Sequence, residues 1–355
     1  MLGYGFMGRA HAHALRAIAH APSPPALLPR LVAVAGRDET ARAQMAARYG
    51  FERHVADWRE LLQDPDVGVL DDLGPNALHA EPSIAAAAAG RHVVCEKPLG
   101  RDAAESRRMW EAVRAAGVQH LCAFNYRFMP ANRLAREMLE AGELGEVHHF
   151  RARYLQSWGA DPARSGVWRF QREAAGGGAL GDLASHVVDL ARYLVGEVAS
   201  VSAETRTFVP GREVDDAVAA AVRFASGAIG TLEATRFATG RLNAFAWEVN
   251  GSRGSLSWDL ERLNELEVDG RRRLVTDPGD PYLAGWWPPG HVLGWEHSFV
   301  FELAHFLRAV GGEGTVAPHG ATFEDGWRAA EVCDAIARSG AVSYTHLTLP
   351  TICSV

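Results

Sequence analysis

Short apolar runs alternate with amphipathic stretches through the first third of the chain. Leu31-Val32-Ala33-Val34-Ala35 has no polar break, the pattern of a parallel strand buried on both faces. Further strands are predicted at 67–73, 91–95 and 118–123. Helical spacing predicts helices over 9–19, 39–49, 79–89 and 102–116, the second ending at Gly50 as a C-cap glycine would. Such alternation predicts a doubly wound parallel sheet that binds ligands at the carboxyl ends of its strands. Beyond residue 123 the period shortens: 147–157, 199–208, 217–224 and 228–237 alternate polar and apolar positions, as half-exposed strands do. Leu183, Val187, Leu190 and Leu194 form one apolar helical stripe facing a core. The fold class is therefore α/β, with a nucleotide-binding unit over 1–122 and a second unit over 123–341.

Both ends break the pattern. Gly3, Gly5 and Gly8 form G-x-G-x-x-G, which should follow a buried strand, yet only Met1 and Leu2 precede it. A central strand takes about five or six residues. A first strand shortened at its start is expected, with an upstream signal peptide left open. Residues 342–355 carry neither period, and Val342–Thr351 back-translates to a sequence that resembles a transposon-type sequencing adapter. They are read as non-native read-through, outside the fold.

Composition narrows the partners. The 355 residues hold 36 Lys+Arg against 43 Asp+Glu, a net charge of -7, which offers no footprint for nucleic acid or an anionic membrane. Four cysteines without CxxC spacing exclude a disulfide scaffold and a zinc ribbon. No run approaches the about 18 apolar residues of a membrane span. A cytoplasmic protein is expected. His11/His13 and His148/His149 suggest a metal, but no carboxylate or Cys in the sequence completes a site, and none is expected.

Of the 36 basic residues, 35 are Arg and one, Lys97, is Lys. Arg replaces Lys wherever charge alone suffices, but not where a titratable amine is needed. Lys97 stands in Cys95-Glu96-Lys97-Pro98, directly after a predicted strand, at the sheet edge where cofactor chemistry occurs. Farther on, Gly176-Gly177-Gly178 precedes Asp182 and His186, which are four apart and can face one cleft from a helix. At the second strand's end, Gly36 supplies no carboxylate for ribose hydroxyls. Arg37 suits a 2′-phosphate and favours NADP over NAD, while Asp38 remains within reach of a ribose hydroxyl. Trp168-Arg169, Tyr126-Arg127 and the segment Trp286-Trp287-Pro288-Pro289-Gly290-His291, with Trp295 and His297, offer aromatic faces and donors for a polyhydroxylated ring.

The sequence resembles the glucose–fructose oxidoreductase / inositol dehydrogenase (Gfo/Idh/MocA) family over residues 1–341. The resemblance rests on the glycine motif, Pro75-Asn76 followed by His79, Glu96-Lys97-Pro98, Asn125-Tyr126-Arg127 and G-G-G-A-L-x-D-L-x-S-H. It implies a Rossmann domain followed by an α/β domain on a large, mostly antiparallel open sheet. Lys97, Asp182 and His186 match the family's catalytic positions: His186 as general base, Asp182 orienting the imidazole and favouring its protonated form, and Lys97 stabilising an alkoxide or sharing the proton. NAD or NADP contacts are implied for Gly3, Gly5, Phe6, Met7, Gly8, Arg37, Asp38, Pro75, Asn76, His79, Glu96 and Lys97. Tyr126, Arg127, Trp168, Arg169, His186 and His291 are the expected substrate residues. The implied activity is hydride transfer between nicotinamide and a secondary alcohol of a sugar, inositol or related polyol. An NAD-dependent glycosidase with transient oxidation and a non-catalytic cofactor sensor are the alternatives. Gly74 stands where Thr commonly precedes Pro-Asn, and Asp72 takes a usually apolar strand position. A sheet face without helices would expose an apolar patch, so a homodimer or homotetramer is expected.

Overall fold

The computed structural model describes residues 1–161 and 166–341. The glycine motif runs directly into α1 (Phe6–Ile18), and from there strands and helices alternate. β1 (Ala33–Ala35), α2 (Glu39–Tyr49), β2 (Arg53–Val55), α3 (Trp58–Gln63), β3 (Val69–Asp72) and α4 (Ala80–Ala88) come first. β4 (His92–Glu96), α5 (Ala103–Ala116) and β5 (His120–Ala123) complete the nucleotide unit. Asp38 caps α2 by accepting the Ala41 N–H at 2.8 Å, and Gly50 ends it at φ +77°.

Two parallel ladders, β1-β2 and β3-β4-β5, become one sheet through Leu2, which bridges Ala35 and Asp72. Leu2 donates to Asp71 at 2.8 Å, Leu73 donates to Leu2 at 2.8 Å and Ala35 donates to Met1 at 2.9 Å. Met1 and Leu2 thus occupy the middle of the sheet, where the first strand of a doubly wound fold belongs. The terminal ammonium donates to the Ala33 carbonyl at 2.9 Å, and burial lowers its pKa. Asp72 is fully buried. One oxygen accepts the Gly74 N–H at 3.2 Å, the other has no partner, and burial pushes the carboxyl well above the usual carboxylate range.

α6 (Pro130–Glu140) leads into a second sheet, beginning with β6 (Val147–Leu155). After α7 (Arg172–Ala175) and α8 (Ser185–Leu194) come β7 (Val198–Arg206), β8 (Ala217–Phe224), β9 (Ile229–Thr235) and β10 (Ala244–Gly251). β11 (Ser255–Asp259), β12 (Glu265–Val268) and β13 (Arg271–Leu274) finish it. The order is β13-β12-β11-β10-β6-β9-β8-β7, antiparallel throughout except for parallel β6 and β9. α8 and α10 (Phe323–Ala341) pack against this sheet, whereas α9 (His297–Val310) returns to α1 in the nucleotide unit. Leu183, Val187, Leu190 and Leu194 are all buried, but so is every other residue of α8, including Asp189 and Arg192.

The uncovered face corrects one expectation. Instead of an apolar patch it carries Arg151, Arg153 and Arg262 beside Glu233, Glu248, Asp259 and Glu267, with Ala219, Ala221 and Ser257 between them, around a concavity of about 740 Å³. The strand alternation is real; the exposed positions around the concavity are small or charged, and a large apolar residue, Ile229 of β9, stands out on the same face.

Candidate active site

A cleft of about 1180 Å³ runs along the carboxyl ends of the parallel strands and under the second sheet. Gly3 enters it at φ +102°, and a Cβ there would sit 2.7 Å from the Leu73 carbonyl oxygen. Gly8 packs beneath Gly3, while Gly5, the N-cap of α1, has no Cβ obstruction and no side-chain cap. The first N–H groups of α1 are therefore presented to the cleft, the arrangement that holds a pyrophosphate. Gly3, Gly5, Phe6, Met7, Gly36 and Arg37 line this end with Asp57 and Trp58. Tyr4 lies against Gly36, where any Cβ would overlap its ring, and its hydroxyl accepts the Asp38 N–H at 3.0 Å. This packing keeps position 36 free of a carboxylate. Asp38 does not line the cleft: its carboxylate is engaged in capping α2.

The chemical end forms where β4 meets the triple-glycine segment. Asp215 accepts the N–H groups of Gly178 at 2.8 Å and Leu180 at 2.7 Å, while Ala179 donates to its carbonyl at 3.0 Å. A side chain at Gly178 would overlap that carbonyl, which explains this glycine. The chain then makes a π-helical turn, Leu180–Ala184, before α8, a distortion frequent at functional sites. The turn carries Asp182, and α8 carries His186.

Lys97 Nζ donates to the Asp182 carbonyl oxygen at 2.7 Å and to Asp182 Oδ1 at 3.3 Å. Oδ2 faces Arg236 Nη1 at 3.8 Å and Arg169 Nε at 4.0 Å. Burial alone would raise the Asp182 pKa, but Lys97, Arg169 and Arg236 outweigh it and hold the carboxyl below its ordinary value. His186 is 6 % exposed, lines the cleft and packs edge-on to Tyr126 at 4.8 Å and Phe124 at 5.8 Å. Its Nδ1 is sealed without a partner. Burial, then the neighbouring Lys97 charge, pushes the imidazole well below its ordinary pKa. Asp182 therefore does not orient His186 or favour its protonated form, as the sequence suggested. It holds the lysine.

Pro75, Asn76, His79 and Glu96 also line the cleft. Asn76 Nδ2 donates to the Ala175 carbonyl at 2.9 Å, joining the two units. His79 is fully buried between the carbonyls of Gly74 at 3.0 Å and Pro98 at 3.0 Å, clasping two cleft loops. Tyr126, Trp168 and Arg169 line the cleft as expected. Arg127 does not. It is 2 % exposed and makes a fork to Asp189, at 2.9 Å from Nε and 2.6 Å from Nη2, which α8 buries beneath the cleft. His291 is also displaced: it sits exposed on its loop and bonds the Pro288 carbonyl, while Trp295 from the same segment lines the cleft and stacks on Phe6 at 5.6 Å.

Several cleft residues were not singled out by the sequence. Tyr126 and Tyr154 share a hydrogen bond at 2.9 Å, Tyr154 donates to Asn243 Oδ1 at 2.8 Å, and Gln156 Nε2 donates to the same oxygen at 2.6 Å. Trp158 Nε1 closes the chain on Gln156 at 2.6 Å. Arg236, fully buried, lies over the Trp158 and Phe170 rings. Strand alternation places Tyr154 and Gln156 on the face of Phe150 and Ala152, the one usable signal; Asn243 and Arg236 come from loops with none.

Two family descriptions match the chain: an oxidoreductase family with an NAD-binding Rossmann fold over residues 1–124, and the GFO/IDH/MocA C-terminal domain over 132–257. Levoglucosan dehydrogenase of Pseudarthrobacter phenanthrenivorans is 41 % identical, covering 96 % of this chain and 95 % of its own. Myo-inositol 2-dehydrogenase of Thermotoga maritima is 30 % identical over 87 % of each. A solved levoglucosan dehydrogenase, in complex with NADH and levoglucosan, superposes with a TM-score of 0.92 at 42 % identity, covering 96 % of both chains. With its glycine loop, its Lys97–Asp182 pair and its open sheet, the chain belongs to the Gfo/Idh/MocA oxidoreductases.

Proposed function

We propose that this protein oxidises a secondary alcohol of a cyclic sugar or polyol, passing the hydride to a nicotinamide cofactor held along the glycine loop. The observation that carries the reading is the meeting of one half-buried lysine and one neutral, buried histidine in the cleft. Bound NAD supplies the hydride acceptor. Oxidation removes a hydride from carbon and a proton from oxygen. With Nδ1 sealed, His186 accepts that proton at Nε2. The Lys97 ammonium, steadied by Asp182, stabilises the charge that builds on the substrate oxygen. Tyr126, Gln156, Trp158, Trp168 and Arg169 offer rings and donors to the remaining hydroxyls, in keeping with the sugar and inositol substrates named for the relatives. A panel of levoglucosan, inositols and aldoses with NAD and NADP, read by the absorbance of reduced cofactor, tests it. Net reduction with at least one polyol is expected, and no reduction with any would refute it.

The cofactor is NAD(H) on the strength of the family. We propose that NADP is also accepted: Gly36 presents no carboxylate, and the exposed Arg37 stands at the cleft rim for a 2′-phosphate. Arg37→Ala should lower kcat/KM for NADP while sparing NAD. The mixed charges of the uncovered sheet face suit self-association, and we propose a homodimer or homotetramer through it, testable by light scattering. No helix among the described residues is long and apolar enough to cross a membrane. Reliance on a diffusible nicotinamide pool supports a cytoplasmic location.

A further inference from the structure

His11 lies buried behind the cleft-lining Glu96, and the reaction above does not use it. α1 carries it inward, so it is fully buried, while His13 on the same helix is exposed. Two strand ends converge on it. Nδ1 lies 3.1 Å from Asp71 Oδ1 on β3, a hydrogen bond, and Nε2 approaches Glu96 Oε1 at the end of β4 to 3.4 Å as an ion pair, without hydrogen-bond geometry. The other oxygen of Glu96 accepts the Lys97 amide N–H at 3.1 Å. The next contact in the series is Lys97 Nζ on the Asp182 carbonyl at 2.7 Å.

We propose that His11 is a positioning residue for Lys97: its imidazole holds the Glu96 carboxylate, and Glu96 fixes the turn from which the lysine reaches Asp182 and the substrate oxygen. The proposal rests on the reading of Lys97 as a catalytic group. Carboxylates did converge on this histidine, from β3 and β4, which sequence spacing could not disclose; they engage it as an ion pair.

The electrostatics agree with the geometry. Asp71 and Glu96 are 7 % and 5 % exposed, and two such carboxylates side by side need a cation between them. Burial alone would lower the His11 pKa, but the two carboxylates outweigh it and push it up to about 10. A third acid, Glu302 on α9, faces the same space, fully buried with no partner for either oxygen. Burial drives Glu302 well above the usual carboxylate range, so it stays neutral and leaves the imidazolium to the two strands. The Phe299 ring closes the remaining side at 5.4 Å. A neutral side chain at position 11 leaves the buried Glu96 carboxylate without its cation, so that it turns away and releases the Lys97 amide.

Lys97 is the one lysine of the chain, so lysine-selective isotope labelling gives a single ammonium signal. In the wild-type protein, the imidazole nitrogen spectrum should show His11 as imidazolium at neutral pH. His11→Gln should shift the Lys97 signal and lower kcat about 10²-fold, the effect of a misplacement of about 1 Å, with KM for levoglucosan changed far less. Adding Glu96→Gln to His11→Gln should recover part of the loss, because it removes the stranded charge; a merely space-filling histidine predicts no such rescue. His13→Gln should change none of these readings. A neutral His11 in the wild-type protein overturns the proposal. So does a folded His11→Gln variant with an unmoved Lys97 signal and full kcat. If His11→Gln does not fold, the wild-type nitrogen spectrum decides. If no polyol is turned over, the functional reading fails, and the two spectra still decide the role of His11.

Discussion

Replacing Lys97 by Arg keeps the positive charge and removes almost everything else that the lysine does. Its Nζ lies within 2.7 Å of the Asp182 carbonyl and 3.3 Å of Oδ1, and the side chain is 14 % exposed. A planar guanidinium in that space still pairs with Asp182, so the carboxylate stays ionised and the local charge is conserved. It cannot place a compact donor on the substrate oxygen, and it cannot share a proton. Losing one donor aimed at developing charge costs about 10²–10³ in kcat, or about 2.7–4 kcal/mol of transition-state stabilisation. The glycine loop is untouched, so the affinity for NAD, read by the fluorescence of bound NADH, should be kept. The assay is steady-state kcat and KM for the responsive polyol beside cofactor titration. Wild-type kcat in Lys97→Arg would refute the reasoning and reduce Lys97 to a positioning charge.

Removing the charge instead should move the pH profile. His186 is held well below its ordinary pKa by burial and by Lys97, so the wild-type acid limb should lie below 6.5. In Lys97→Met the Coulombic push disappears, the folded pKa rises, and the residual activity should be lost at higher pH than in the wild type. Gly178→Ala sets a Cβ against the Asp215 carbonyl and should cost about 1–3 kcal/mol, seen as a lower Tm, whereas Gly177→Ala meets nothing closer than 3.4 Å and should be milder. Asp189→Asn breaks the buried fork to Arg127 and should cost about 3–5 kcal/mol in urea unfolding, leaving KM for the polyol nearly unchanged in the folded fraction.

The alternation of buried runs and helices made most of the nucleotide unit legible, because a parallel strand covered on both faces leaves an apolar run; the short, largely exposed edge strand β2 left none. Of the eight strands of the second sheet, β6 to β9 were legible in their period and β10 to β13 were not, and the chemistry of the open face was not legible either, since alternation says which positions face outward and not what they meet. Lys97, Asp182 and His186 were found by rarity and spacing. Their mutual geometry was not, because an ideal helix was assumed where Leu180–Ala184 makes a π-turn. Arg127 looked like a substrate donor until Asp189 came beneath it from α8, a pairing across 62 positions of sequence. Arg236 and Asn243 reach the cleft from loops, where no period marks them.

Deuterium at the reacting carbon tests the central claim most directly. A polyol from the responsive panel, deuterated at its carbinol carbon, is incubated with enzyme and oxidised cofactor, and both products are examined by NMR. Hydride transfer at the Lys97–His186 site predicts deuterium in the reduced nicotinamide, one label per ketone formed, and no labelled cofactor from a His186→Ala variant. Label retained in the sugar product, or reduced cofactor free of deuterium, would contradict it.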